Sequence, residues 1–210
     1  MEFFSTVIRF FQAGGEFMYP ILAVLVLGLA ITIERVLYLR RALAENREVW
    51  STLMPLVNAG KHDEAENVAS KSTTAIGRVL GYGLARSRGA TSREDVELAM
   101  EESLMEVTPQ LERRTHYLAT FANVATLLGL LGTIIGLING FEAVSGVNPA
   151  QKQDQLSSAV AIAMNCTAFG LMTAIPLLLI HAWLVTKTDE LVDSLEMASV
   201  KFLNSLGLKK

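Results

Sequence analysis

The sequence predicts an all-α membrane protein: three transmembrane helices, the second and third extended into a cytoplasmic helical bundle. Three observations carry that expectation. Of the 210 residues, 51% are hydrophobic, and the mean hydropathy is +0.37, which is too apolar for an ordinary water-soluble domain. Three runs, 17–33, 115–141 and 155–186, contain no Asp, Glu, Lys or Arg. A hydrocarbon core of about 30 Å needs about 20 apolar residues as helix, so the second and third runs span it easily. The first is shorter but continues past Glu34-Arg35 into Val36, Leu37, Tyr38 and Leu39, and charged side chains near a helix end can snorkel. The third observation is the placing of cations. Arg35, Arg40, Arg41 and Arg47 follow the first span, Arg113 and Arg114 precede the second and Lys187 follows the third, against only Arg9 and Lys152 on the other side. By the positive-inside rule the N-terminus and the short connection between the second and third spans face outward, and the rest is cytoplasmic.

Residues 1–16, "MEFFSTVIRFFQAGGE", lack a basic n-region and a small-x-small cleavage site, so a cleavable signal peptide is not expected. Phe3, Phe4, Phe10 and Phe11 suit an amphipathic helix lying in the outer interface. Transmembrane helix 1 is assigned to 17–40 and a cytoplasmic helical segment to 41–112. Within that segment "NAGKHDEAENVAS" predicts a short helix begun near Gly60, and "GYGLARSRGATS" predicts a loop with Gly81, Gly83 and Gly89 as breakers. Thr91 with Glu94 fits a capping box, and Glu94, Asp95 and Glu97 suit the positive end of a helix dipole.

From that cap only Pro109 interrupts the pattern before Pro149. Transmembrane helix 2, 113–143, is therefore expected to continue without a break from a cytoplasmic helix starting near 92. An outward loop is assigned to 144–155, transmembrane helix 3 to 156–186, and a cytoplasmic C-terminal helix to 187–210. In that last helix Leu191, Leu195, Ala198 and Phe202 recur at helical spacing. Apolar faces of such helices below the membrane need partners, which predicts a bundle with segment 41–112 and with other copies of the chain.

At about 100° per residue the second span divides into two faces. Ala119, Ala122, Ala125, Thr126, Gly129, Gly132, Thr133, Gly136, Gly140 and Ala143 gather on one, and Leu127, Leu131, Ile134, Ile135 and Ile138 on the other. Glycine costs about 1 kcal/mol against alanine inside a helix, so this stripe answers a packing need. Periodicity leaves two readings open: close helix packing, or a wall facing a pore or partner. In the third span Thr167 shares a face with Ala163, Gly170 and Ala174, while Asn165 falls nearly opposite, and Pro176 could bend the helix. Neither uncharged run, 115–141 or 155–186, contains Asp or Glu. A proton or cation route ordinarily needs an ionisable group at depth, so a conducting chain of this kind needs a second subunit to supply one.

Other chemistry finds little support. Glu34 beside Arg35 reads as a solvated interfacial pair, and His116 and His181, near the cytoplasmic span ends, read as interfacial packing, with pH sensing the alternative. Three scattered histidines and the single Cys166 give no metal-ligand spacing and no intrachain disulfide. A net charge of −3 does not suit a nucleic-acid partner. There is no P-loop, G-x-S-x-G or strand-associated G-x-G-x-x-G, so neither an enzyme nor a cofactor is expected.

The stretches "LERRTHYLATFANVATLLGLLGTIIGLINGF" and "AIAMNCTAFGLMTAIPLLLIHAWL", with "IERVLYLRR" at the end of the first span, resemble the ExbB/TolQ/MotA proton-channel family. Three spans make the resemblance closest to ExbB and TolQ. It implies a motor subunit of the bacterial inner membrane, with periplasmic N-terminus and outer loop and cytoplasmic C-terminus. It implies a homopentamer around an ExbD/TolR-like single-span partner, whose membrane aspartate carries the proton, and a TonB/TolA-like protein that receives the force. Thr133 matches the threonine of the family's "GT" and Thr167 that of its third-span "TA". Both are implied to face that aspartate, with Ala122, Thr126, Gly129, Gly132, Gly136, Gly140, Ala163, Gly170 and Ala174 lining the pore. Two departures stand out: Ile162 replaces a glutamate, and Thr126 a proline, of many members. The reading from a different class is a membrane scaffold whose small faces pack helices without ion flux.

Overall fold

The computed structural model describes residues 11, 14–89, 92–145 and 148–206, except the side chains of 149 and 150. The expected interfacial helix over 1–16 lies almost wholly outside them. Among the described residues the chain is helical and without strands: α1 Met18–Asn58, α2 His62–Lys71, α3 Ala75–Ser87, α4 Arg93–Glu112, α5 Thr115–Val144 and α6 Pro149–Ser205. At 1.5 Å per residue the 41 residues of α1 reach about 62 Å and the 57 of α6 about 86 Å. Three helical stretches, Met18–Asn58, Arg93–Val144 and Gln151–Ser205, are long and apolar enough to cross a membrane. The chain forms two compact units, one from 1–33 with 114–182, the other from 34–113 with 183–210.

The first unit holds the apolar parts of α1, α5 and α6. Gly136 sits against Ala163 and Gly140 against Ala159, so α5 and α6 run antiparallel. Gly15 meets Ile162 and Gly28 meets Leu177, so α1 runs parallel to α6. Met18, Ile21, Leu118, Ala125, Cys166 and Leu177 are buried between them. Leu127, Leu131, Ile134 and Ile138 are exposed, as expected for the bulky face of α5, while Ile135 is half-buried. The connection between α5 and α6 is shorter than the expected loop 144–155. α6 already begins at Pro149, because Gln151, Lys152, Gln153 and Asp154 are polar without being helix breakers.

The second unit is a bundle in which Leu191, Leu195, Ala198 and Phe202 are all buried. α4 opens on a capping box, one residue later than Thr91–Glu94 predicts: Ser92 Oγ accepts the Asp95 N–H, and Asp95 Oδ2 accepts the Ser92 N–H. α3 overturns the expected loop around Gly81 and Gly83. Thr74 caps it by accepting the Gly77 N–H, and Gly83 lets Met100 and Phe202 close to where a Cβ would stand, at 2.7 and 2.9 Å. Those glycines serve helix packing rather than chain breaking.

The continuous helix expected from near 92 through 143 is interrupted. α4 stops at Glu112, Arg113 is extended, and Arg114 takes φ +67°, a left-handed conformation uncommon outside glycine. The Leu111 carbonyl, which an unbroken helix would bond to residue 115, instead accepts a hydrogen bond from the Arg35 guanidinium. Arg35 is 2% exposed and stacks 4.6 Å over the Tyr38 ring, while Glu34 is exposed, so of the expected solvated Glu34–Arg35 pair the arginine is corrected to a buried cation at the C-terminal end of α4.

Candidate functional site

The small-residue faces of α5 and α6 meet each other. A Cβ at Gly129 would stand 3.2 Å from Thr167 Cα and 3.3 Å from Gly170 Cα, and one at Gly170 would lie 2.7 Å from the Ala125 carbonyl oxygen. Only glycine allows backbones this close, the arrangement that membrane helices use when lipid offers no hydrophobic drive for association. Gly132 packs on Cys166 and Phe17 in the same way.

This seam brings Thr133 and Thr167 together. Their hydroxyls are hydrogen-bonded to each other, and both reach the Gly129 carbonyl, at 3.1 Å from Thr133 and 3.0 Å from Thr167. Thr133 Oγ1 also lies 3.4 Å from the Ala163 carbonyl. Each hydroxyl has one proton to give, so the cluster has two orders: Thr133 donates to Thr167, which donates to the Gly129 carbonyl, or Thr167 donates to Thr133, which donates to the Gly129 or the Ala163 carbonyl. Whichever order holds, lone pairs remain free to accept from an outside donor, and both residues are half-buried. Threonine does not ionise at physiological pH. The pair can therefore hold and orient a proton donor without itself being the proton carrier.

The remaining sequence-predicted residues are placed differently. Ala122, Gly129, Gly132, Gly140, Ala163, Gly170 and Ala174 are buried and Gly136 half-buried. Their occupant is the chain's own packed helices. Thr126 is exposed, its hydroxyl turned to the Ala122 carbonyl at 3.1 Å, two turns from Thr133. Ile162 is 39% exposed. Asn165 is half-buried. His116 and His181 pair with ring centroids 6.4 Å apart. Phe11 packs edge-on against Tyr19 and Phe169. No group of three or more potential metal ligands occurs among the described residues.

Sequence reading passed over Thr173, which is 1% exposed with a hydroxyl that has no hydrogen-bond partner among the described residues. Its signal was a second threonine three residues beyond Gly170 in the apolar run "GLMTAIP". It also passed over Cys166 and Ala159 as the surfaces that the α5 glycines require.

Three long apolar helices, closed by a glycine seam around a hydroxyl pair, define a multi-pass α-helical membrane protein. The chain belongs to the MotA/TolQ/ExbB proton channel family, whose model matches residues 71–197. It is 28% identical over 200 residues to an ExbB homolog of Methanothermobacter thermautotrophicus named for biopolymer transport, covering 94% of this chain and 69% of that one. It is 31% identical over 188 residues to an ExbB-like biopolymer transport protein of Synechocystis, covering 87% of this chain and 72% of that one. With the Tol-Pal system protein TolQ of Haemophilus influenzae it shares 38% identity over 78 residues, 37% of this chain and 34% of that one.

Proposed function

We propose that this chain is the multi-copy proton-channel subunit of a motor in the bacterial inner membrane. Its N-terminus is periplasmic and its C-terminus cytoplasmic, as the cation distribution favours. Copies of it, five by family analogy, surround an ExbD/TolR-like single-span subunit. The aspartate of that subunit carries the proton, and the complex energises a TonB- or TolA-like protein that spans the periplasm. The observation that carries this reading is the Thr133–Thr167 pair, two hydroxyls joined across a seam within the runs 115–141 and 155–186, which contain no Asp or Glu. A partner carboxyl arriving at these half-buried hydroxyls finds free lone pairs to accept its O–H when it is protonated, and a donor when it is ionised once one hydroxyl turns from the Gly129 carbonyl toward it. Such a station lets it exchange protons without being stranded in hydrocarbon.

One observation favours a scaffold without ion flux. α6 already occupies the glycine stripe, so packing alone accounts for those residues. Proton uptake by vesicles holding the chain with a single-span, aspartate-bearing partner separates the two readings. Thr133→Val and Thr167→Val remove the acceptors at little change in volume. Leaving a partner unsatisfied costs about 1–3 kcal/mol, so uptake is expected to fall about fivefold or more while the complex stays intact. Wild-type vesicles without uptake would establish the scaffold, and full uptake in both variants would remove the two threonines from the pathway.

A further inference from the structure

The second unit carries two complementary surfaces on different helices. On α4, Leu98 and Met105 are 67% and 74% exposed, unusual for large apolar side chains. They stand seven residues apart, two turns or about 10.5 Å along one line of the helix. Glu94, Glu101, Glu102 and Glu112 all fall within about 60° of that line, and none has an ion-pair partner within 4 Å among the described residues.

The opposite chemistry lies in a groove of about 280 Å³ between α1 and α6, lined by Leu43, Trp50, Ile76 and Met197 with Arg47 and Lys201. Each helix contributes an i, i+3, i+4, i+7 face, 43–50 on α1 and 194–201 on α6, the same two-turn span as the α4 line. Arg47 and Lys201 also have no ion-pair partner within 4 Å among the described residues. Asn46 lines the groove at 5% exposure. Its Oδ1 accepts the Ile76 N–H at 3.1 Å, but its Nδ2 has no partner, a cost that an arriving carboxylate would relieve.

We infer that the α4 stripe of one copy docks into the α1–α6 groove of the next copy, seating Leu98 and Met105 between Arg47 and Lys201. The inference rests on the multi-copy assembly proposed above and supplies its contact. Matched length and opposite charge on the same chain make a second copy the occupant, always present at equal stoichiometry. Because the two surfaces differ, the contact is head-to-tail, which closes into a ring when its rotation returns to the first copy.

Full-length chains with Cys166→Ser, one carrying Leu98→Cys and the other Met197→Cys, are co-expressed and oxidised in the membrane. A cross-linked dimer is expected only when both are present. Glu101→Lys with Glu102→Lys on the Leu98→Cys chain should reduce it at least tenfold, and Arg47→Glu with Lys201→Glu on the Met197→Cys chain should restore it. Native mass measurement of the same membranes separates the failures. A single-copy wild type would overturn the assembly itself. An oligomer without the cross-link, or with one indifferent to charge reversal, would overturn this contact alone and leave the groove to another occupant. All the charged positions are solvent-facing, so the variants keep the fold.

Discussion

α6 runs through both units, and it packs by opposite rules in each. In the first unit it presents Ala159, Ala163, Cys166 and Gly170, and α5 answers with glycines. In the second it presents Leu191, Leu195, Phe202 and Leu203, and large side chains answer, such as Leu80, Leu84 and Met100. The difference is a difference of solvent. In water, burying a large apolar side chain contributes about 1.5–3 kcal/mol, so big residues go inside. In lipid that transfer gains nothing, because the surroundings are already apolar. Close backbone approach and shared hydroxyls hold the helices instead, and large side chains are left outside.

The comparison can be broken most forcefully at Phe202. It is fully buried in the second unit, and Phe202→Ala should cost about 3–5 kcal/mol. Hydrogen exchange of the full-length chain in nanodiscs should show lost protection in α3, α4 and the end of α6, with the α5–α6 seam unchanged. A smaller loss, of about 1–3 kcal/mol, is expected for Gly170→Ala. Its new methyl would meet the Ala125 carbonyl 2.7 Å away, a backbone group with little room to yield. Protection should fall in the seam and not in the bundle.

Smallest, and opposite in sign, is Gly81→Ala. A Cβ there meets only Ala69, at an ordinary 3.4 Å, so the helix propensity of alanine should stabilise α3 by up to about 1 kcal/mol. The same glycine-to-alanine change would then weaken one unit and strengthen the other. Equal signs at the two positions would show that one packing rule governs the whole chain.

Much of this was legible before any coordinates. Uncharged runs locate the spans because partition into lipid depends on local composition. Helical periodicity marks the small face of α5 and the buried line Leu191, Leu195, Ala198 and Phe202, because side-chain direction depends on local geometry; the family resemblance picks Thr133 and Thr167 out of the small faces. Sequence reading erred where two local signals compete. Ser92 and Thr91 both offer a cap three residues before an acid, and Gly81 and Gly83 read equally as breakers or as packing sites.

By itself, then, the sequence determined the class of the molecule and its apolar spans, and it nominated the two threonines through the resemblance it carries. Tertiary structure alone decided what covers the glycine face. Periodicity shows that a face is small, but only the antiparallel pairing of α5 with α6 shows that a helix of the same chain fills it and sets Thr133 against Thr167. It also decided the break at Arg113–Arg114, where the Leu111 carbonyl is taken by Arg35, 76 residues earlier in the chain. Composition and spacing are properties of a segment. Which carbonyl a distant guanidinium reaches is a property of the packed molecule.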